Sequence, residues 1–116
     1  MPINLQAPMG RTVDLDSLPP QIVPVVRSWV AAVEAASRRM GDELRVTAED
    51  AIASLRGRIV MTAPLEATLI KSNLATLVLA NKLDRRATLP SKERTEALTA
   101  LNALIVELRN AKPKER

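Results

Sequence analysis

The side chains that could do chemistry in this chain are carboxylates, lysines, arginines and hydroxyls, because histidine, cysteine and tyrosine are all absent. Their absence removes the most common general base, the thiolate nucleophile and most transition-metal ligands. A disulfide framework is also impossible without cysteine. We therefore expect a protein that is not an enzyme and that carries no metal and no cofactor.

The acidic residues that lie close together in the sequence are better explained as helix caps than as ligands. Asp14 and Asp16 could bind a divalent cation, but the further oxygen ligands and the glycine of a calcium loop are missing. Glu49 and Asp50 follow Thr47 in a pattern typical of a helix start, where the helix dipole favours negative charge. The three glycines are isolated, so no glycine-rich phosphate loop is present.

The basic residues are concentrated in the second half of the chain. Residues 1–62 hold seven Lys+Arg and seven Asp+Glu, whereas residues 63–116 hold ten and six. A candidate phosphate-binding cluster consists of Lys82, Arg85, Arg86, Lys92 and Arg94. The same pattern is typical of solvated helix ends, where the dipole favours cations.

If the chain binds nucleic acid, it must bind without reading the base sequence. A helix-turn-helix reading would place residues 63–67, Ala-Pro-Leu-Glu-Ala, at the base edges, and these carry no base-reading donor. Stacking on single strands needs aromatic side chains, and Trp29 is the only one. Contacts to the phosphate backbone remain the one plausible mode.

A single domain must position these residues, because 116 residues and 12.6 kDa leave little room for a second core. Apolar residues make up 47% and aromatic residues 1%, which predicts an aliphatic core. The N-terminus lacks the pattern of a signal peptide, and no segment has the roughly 20 apolar residues that cross a bilayer. We expect a cytoplasmic protein with no membrane partner.

Apolar residues at helical spacing predict an all-α fold, a small bundle of about four helices. The first helix begins between Asp16 and Pro24 and ends at Gly41, and Thr47 caps a second that Gly57 weakens or ends. The third runs from Thr62 to Leu83, and the fourth runs antiparallel to it from Ser91 to Ala111.

The domain prediction has three parts. Residues 1–20, with four of the eight prolines, form an extended arm; residues 21–112 form the bundle; residues 113–116 form a basic tail. A minority alternative is that LRVT, Leu44 to Thr47, and RIVMT, Arg58 to Thr62, pair as short strands.

The third predicted helix is apolar on most sides and must be covered on most sides. Either the other helices wrap it, or a second copy or another partner covers part of it, and we favour association. The candidate interaction residues are Leu74, Leu77, Val78, Leu79 and Leu83, with Trp29 as a core residue or an interface anchor. The helix also carries three polar residues, Asn73, Thr76 and Asn81. They either lie buried in a helical interface and fix its register, or they form the solvated strip of the helix.

Together these patterns predict a non-enzymatic helical interaction protein that acts by self-association or as an adaptor or structural subunit. The alternative is an accessory protein that binds nucleic acid without reading its sequence.

Overall fold

The computed structural model describes residues 15–37, 40–85 and 90–114. Within these ranges the chain forms four helices and no strand, which confirms the predicted all-α bundle. The helices are α1 (Val23–Glu34), α2 (Gly41–Arg58), α3 (Ala63–Arg85) and α4 (Ser91–Leu108).

The four helices form a closed ring of neighbours. α1 packs against α2 and α4, and both of these pack against α3, so α1 and α3 lie diagonally opposite each other. α3 and α4 run antiparallel through a short connection, as predicted, and make the most extensive contact of the bundle. The core between the described helices is aliphatic apart from Trp29 and two buried hydroxyl residues, Ser72 and Thr76.

The segment before α1 is folded onto the bundle where the structure describes it. Two 3₁₀ turns, Leu15–Ser17 and Pro20–Ile22, precede α1, and Leu18 between them is buried. The predicted extended arm is therefore corrected for residues 15–20, because the apolar side chains of Leu18 and Leu15 gain contacts on the core. Residues 1–14 of the predicted arm lie outside the described residues.

α3 and α4 begin within one residue of the predicted positions, Thr62 and Ser91. The Thr62 hydroxyl accepts a hydrogen bond from the Leu65 amide at 3.3 Å, and the Thr62 carbonyl accepts one from Glu66 at 2.8 Å. Pro64 lies in the first turn, where its missing N–H costs nothing. Pro90 precedes α4, and its carbonyl oxygen accepts from the Arg94 amide at 3.0 Å.

The predicted boundary between the first two helices is wrong. α1 ends at Glu34, and Gly41 starts α2 instead of ending α1, so Thr47 lies inside α2. Gly41 is buried against α3, where a Cβ would stand 2.8 Å from the Ala80 carbonyl oxygen and in conflict with the Asp84 carboxylate. The glycine is needed for the close approach of the two helices.

The strand alternative is wrong for LRVT, which is helical, and RIVMT finds a different partner. Ile59 pairs with Pro113 in one antiparallel bridge. The Val60 amide donates to the Lys112 carbonyl oxygen and the Lys114 amide to that of Arg58, both at 2.8 Å. This pairing ties the chain after α4 to the end of α2.

A path of buried polar groups runs from α1 through α3 to α4. The Trp29 indole Nε1–H donates to Thr76 Oγ1 at 3.1 Å, and the Thr76 hydroxyl donates to the Ser72 carbonyl oxygen at 2.8 Å. Ser72 Oγ then donates to the Ala100 carbonyl oxygen at 3.1 Å. Buried polar groups are tolerated when they are hydrogen-bonded, so this path can occupy the centre of an aliphatic core.

The first prediction concerns the Trp29–Thr76 hydrogen bond. Thr76→Val keeps the side-chain shape but leaves the buried indole N–H without its acceptor, so we expect the free energy of unfolding to fall by about 1–3 kcal/mol. Urea denaturation measures the change. The matched control is Thr99→Val on the exposed side of α4, and equal stability of the two variants would contradict the role of this hydrogen bond.

The second prediction uses the two helical glycines, which should respond in opposite directions. Gly41→Ala places a methyl group against α3 and should lower the free energy of unfolding by about 1–3 kcal/mol. Gly57→Ala has no atom within 4 Å of the new methyl group and should raise it by about 0.5–1 kcal/mol. Thermal unfolding measures both changes. A Gly41→Ala variant that is more stable than Gly57→Ala would refute the close packing at Gly41.

Candidate interaction site

Three of the six residues predicted for interaction belong to the core of the single chain. Trp29, Leu79 and Leu83 are fully or almost fully buried by the other helices. The expectation that Leu79 or Leu83 faces another chain is therefore corrected, because no surface of these side chains is left for a partner to contact. Trp29 is a core residue for the same reason.

The other predicted residues lie at the surface of α3. Leu74 and Val78 are 57% and 45% exposed, and Leu77 is half-buried beside them. Ile70, which was not among the predicted interaction residues, is 47% exposed. Its spacing of four residues from Leu74 could have identified it. Ile70, Leu74 and Val78 lie on one side of α3 and are called here the apolar stripe.

The rotation of α3 explains why large apolar side chains face outward. Ser72 and Thr76 are fully buried because they complete the polar path from Trp29 to α4. Leu74 follows Ser72 by two positions, and Val78 follows Thr76 by two positions. Residues two positions apart lie on nearly opposite sides of a helix. Fixing Ser72 and Thr76 inward therefore places Leu74 and Val78 outward.

Arg45 ties the start of α2 to the end of α3. Its guanidinium donates to Asp42 Oδ1 at 2.7 Å, to Asn81 Oδ1 at 2.7 Å and to Asp84 Oδ2 at 2.6 Å. The hydrogen bond to Asp84 is the largest cause of a raised pKa of Arg45. The guanidinium thus stays charged throughout the working pH range. Asn81 is exposed, as expected of a solvated strip, whereas Thr76 is buried and bonded to Trp29.

Arg56 and Glu66 form a second tie between α2 and α3, at the opposite end. Arg56 Nη1 and Nη2 donate to the two carboxylate oxygens of Glu66 at 2.8 and 2.7 Å, a bidentate arrangement. Partly exposed ion pairs add little stability, so their main effect is on register and local charge. Glu66 and Asp84, the two acidic residues of α3, each pair with an arginine of α2, and Arg45 is shared between Asp84 and Asp42.

The remaining charges on α3 are all positive. Lys71, Lys82 and Arg85 make no ion pair with any residue that the structure describes. Lys71 and Arg85 each lie seven residues from Val78, about two turns away on the same side of the helix. We call the apolar stripe, together with Lys71, Lys82 and Arg85, the outer face of α3.

The predicted phosphate-binding cluster is only partly assembled. Lys82, Arg85 and Lys92 lie at the end of the bundle where α3 ends and α4 begins, and Arg85 and Lys92 are exposed. Arg94 is withdrawn from this group, because its Nη2 donates to the Ala36 carbonyl oxygen just beyond α1 at 2.6 Å. The contact satisfies a carbonyl at a helix C-terminus, which favours a cation. Arg86 lies outside the described residues.

Other kinds of site find no support in the described ranges. No group of three or more acidic side chains there could hold a metal ion. None of the described helices is both long and apolar enough to cross a membrane. Comparison with protein-family models, with curated proteins and with solved structures gave no match.

The third prediction separates the structural role of Arg94 from phosphate binding. Arg94→Ala removes a charged hydrogen-bond donor from the end of α1 and should lower the free energy of unfolding by about 1–2 kcal/mol. Lys92→Ala, an exposed neighbour at the same end, should change it by less than about 0.5 kcal/mol. Chemical denaturation of the two variants provides the comparison, and equal stabilities would argue against the Ala36 contact.

Proposed function

We propose that the chain is a non-enzymatic interaction protein of the cytoplasm that binds a helical protein surface through the outer face of α3. The partner is either a second copy of the chain or a different protein. With a different protein as partner, the chain acts as an adaptor or structural subunit. The observation that carries this proposal is the apolar stripe, in which Ile70, Leu74 and Val78 are each about half exposed.

The arrangement of the stripe distinguishes it from ordinary surface apolarity. The other large apolar residues exposed in the described ranges are Val46, Val60 and Val106, and each belongs to a different segment. Single exposed apolar side chains are normal on soluble proteins, whereas contiguous ones mark interaction surfaces. The three residues of the stripe follow one another at intervals of four along a single helix, as in helices that dock against a partner.

The fourth prediction tests this surface with Leu74→Glu, which places a charge at the centre of the stripe without disturbing the core. Sedimentation velocity over a wide concentration range measures self-association, and selection from a library of displayed amphipathic helices measures docking of other proteins. We expect association in at least one assay, and we expect Leu74→Glu to weaken it by about tenfold or more, as for a central contact residue.

The matched control is Val106→Glu, because Val106 is 50% exposed on α4 and lies outside the stripe. Circular dichroism should show both variants as helical as the parent protein. A protein that stays monomeric and selects no helix dependent on Leu74 would refute the proposed function. Equal losses in the two variants would refute the assignment to α3.

The second candidate function is binding of nucleic acid through the phosphate backbone. It is favoured by the exposed Arg85 and Lys92 and by Lys82, none of which is neutralised by a described residue. Such binding should be independent of base sequence and should weaken steeply with salt, with a logarithmic slope of roughly 0.9 per neutralised phosphate. Titration of labelled duplex DNA, with Arg85→Ala expected to lower the slope by about one, tests this candidate. Absence of binding at low salt would eliminate it.

A further inference from the structure

We propose that the occupant of the outer face of α3 is an acidic amphipathic helix of a different protein. This inference rests on the proposed function and adds the chemical class of the partner. It follows from three properties of the face: the spacing of its apolar side chains, the sign of its free charges and its small extent.

The apolar side chains match a helix as the docking element. Ile70, Leu74 and Val78 form a row about 12 Å long at 1.5 Å per residue. A helix lying along this row would contribute apolar residues at intervals of three and four, the pattern of a helix that docks into an apolar groove. Leu77 is half-buried at the edge of the row.

The charges around the row favour acidic residues on the partner. Lys71 lies beside the row, and Lys82 and Arg85 lie one to two turns beyond Val78. Arg56 neutralises Glu66, and the cluster of Arg45, Asp42 and Asp84 keeps one negative charge against the three cations of the face, so the balance of the face is positive. Complementary charges at the rim of an interface accelerate association and exclude wrong partners, so glutamates beside the apolar residues of the partner would be favoured.

The same charges disfavour a second copy of this chain. A two-fold contact through the outer face would be isologous, so both copies would bring Lys71, Lys82 and Arg85 to the same interface. No free carboxylate of the described part of α3 would neutralise them. A row of three half-exposed side chains is also small beside the roughly 800 Å² per partner of a standard interface. The face therefore fits a short helix of opposite charge better than its own copy.

The experiment compares two synthetic peptides of about 18 residues, or five helical turns. Both carry leucines at intervals of three and four; one has glutamates beside the leucines, and the other has lysines at those positions. Fluorescence anisotropy with the full chain should show binding of the acidic peptide at least about tenfold tighter than that of the basic peptide. The affinity for the acidic peptide should decrease as salt screens the charges.

Two pairs of variants assign the binding to the outer face. Leu74→Glu should weaken binding of the acidic peptide by about tenfold or more, whereas Val106→Glu should leave it unchanged. Arg85→Glu should weaken it by about threefold to tenfold, whereas Arg109→Glu makes the same charge change on an exposed residue after α4 and should have little effect. If Leu74→Glu does not fold, Leu74→Ser replaces it.

The outcomes separate this inference from the proposed function. Equal binding of the two peptides, or binding insensitive to Arg85→Glu, would overturn the acidic partner. Self-association that depends on Leu74, with no binding of the acidic peptide, would also overturn it while supporting the proposed function. Preference for anionic lipid vesicles over the acidic peptide would assign the face to a membrane surface. If the parent protein neither self-associates nor binds the acidic peptide, both the inference and the proposed function are refuted.

Discussion

The hydrogen bond from the Trp29 indole to Thr76 is the contact on which the arrangement of the bundle depends. α1 and α3 are diagonal in the ring of helices, and the Trp29 side chain connects them directly across the core. Trp29 is the single aromatic residue of the chain and fills this central position. Its N–H needs an acceptor when buried, and Thr76 supplies one on the side of α3 that also buries Leu69 and Leu79.

The orientation of α3 in turn decides which surface is left for other molecules. Ser72 and Thr76 turn inward together with leucines such as Leu69 and Leu79, so the residues two positions after Ser72 and Thr76 face outward. The apolar stripe is consequently exposed, although Ile70, Leu74 and Val78 are as apolar as the leucines buried on the other side. The exposed stripe thus lies opposite a buried side that combines the two hydroxyls with leucines.

The contacts between α2 and α3 set the charge of that surface. Arg45 and Arg56 bind the only two carboxylates of α3, one near each end of the helix. Their positions keep the helices in register, and they leave the free charges of α3 uniformly positive. The close approach at Gly41 supports the same register by letting the first turn of α2 contact Ala80 and Asp84. Packing, register and surface charge are therefore coupled along one helix pair.

Local patterns in the sequence were enough to predict the all-α class, the four helices and where α3 and α4 begin, because apolar periodicity and helix-start residues act within a few positions. It also identified Leu74 and Val78 as interaction candidates. The burial of Leu79 and Leu83, the withdrawal of Arg94 toward Ala36 and the role of Gly41 were decided only by the tertiary structure. Each depends on a residue tens of positions away in the chain, and a helix that is apolar on most sides carries no local signal for which side turns inward.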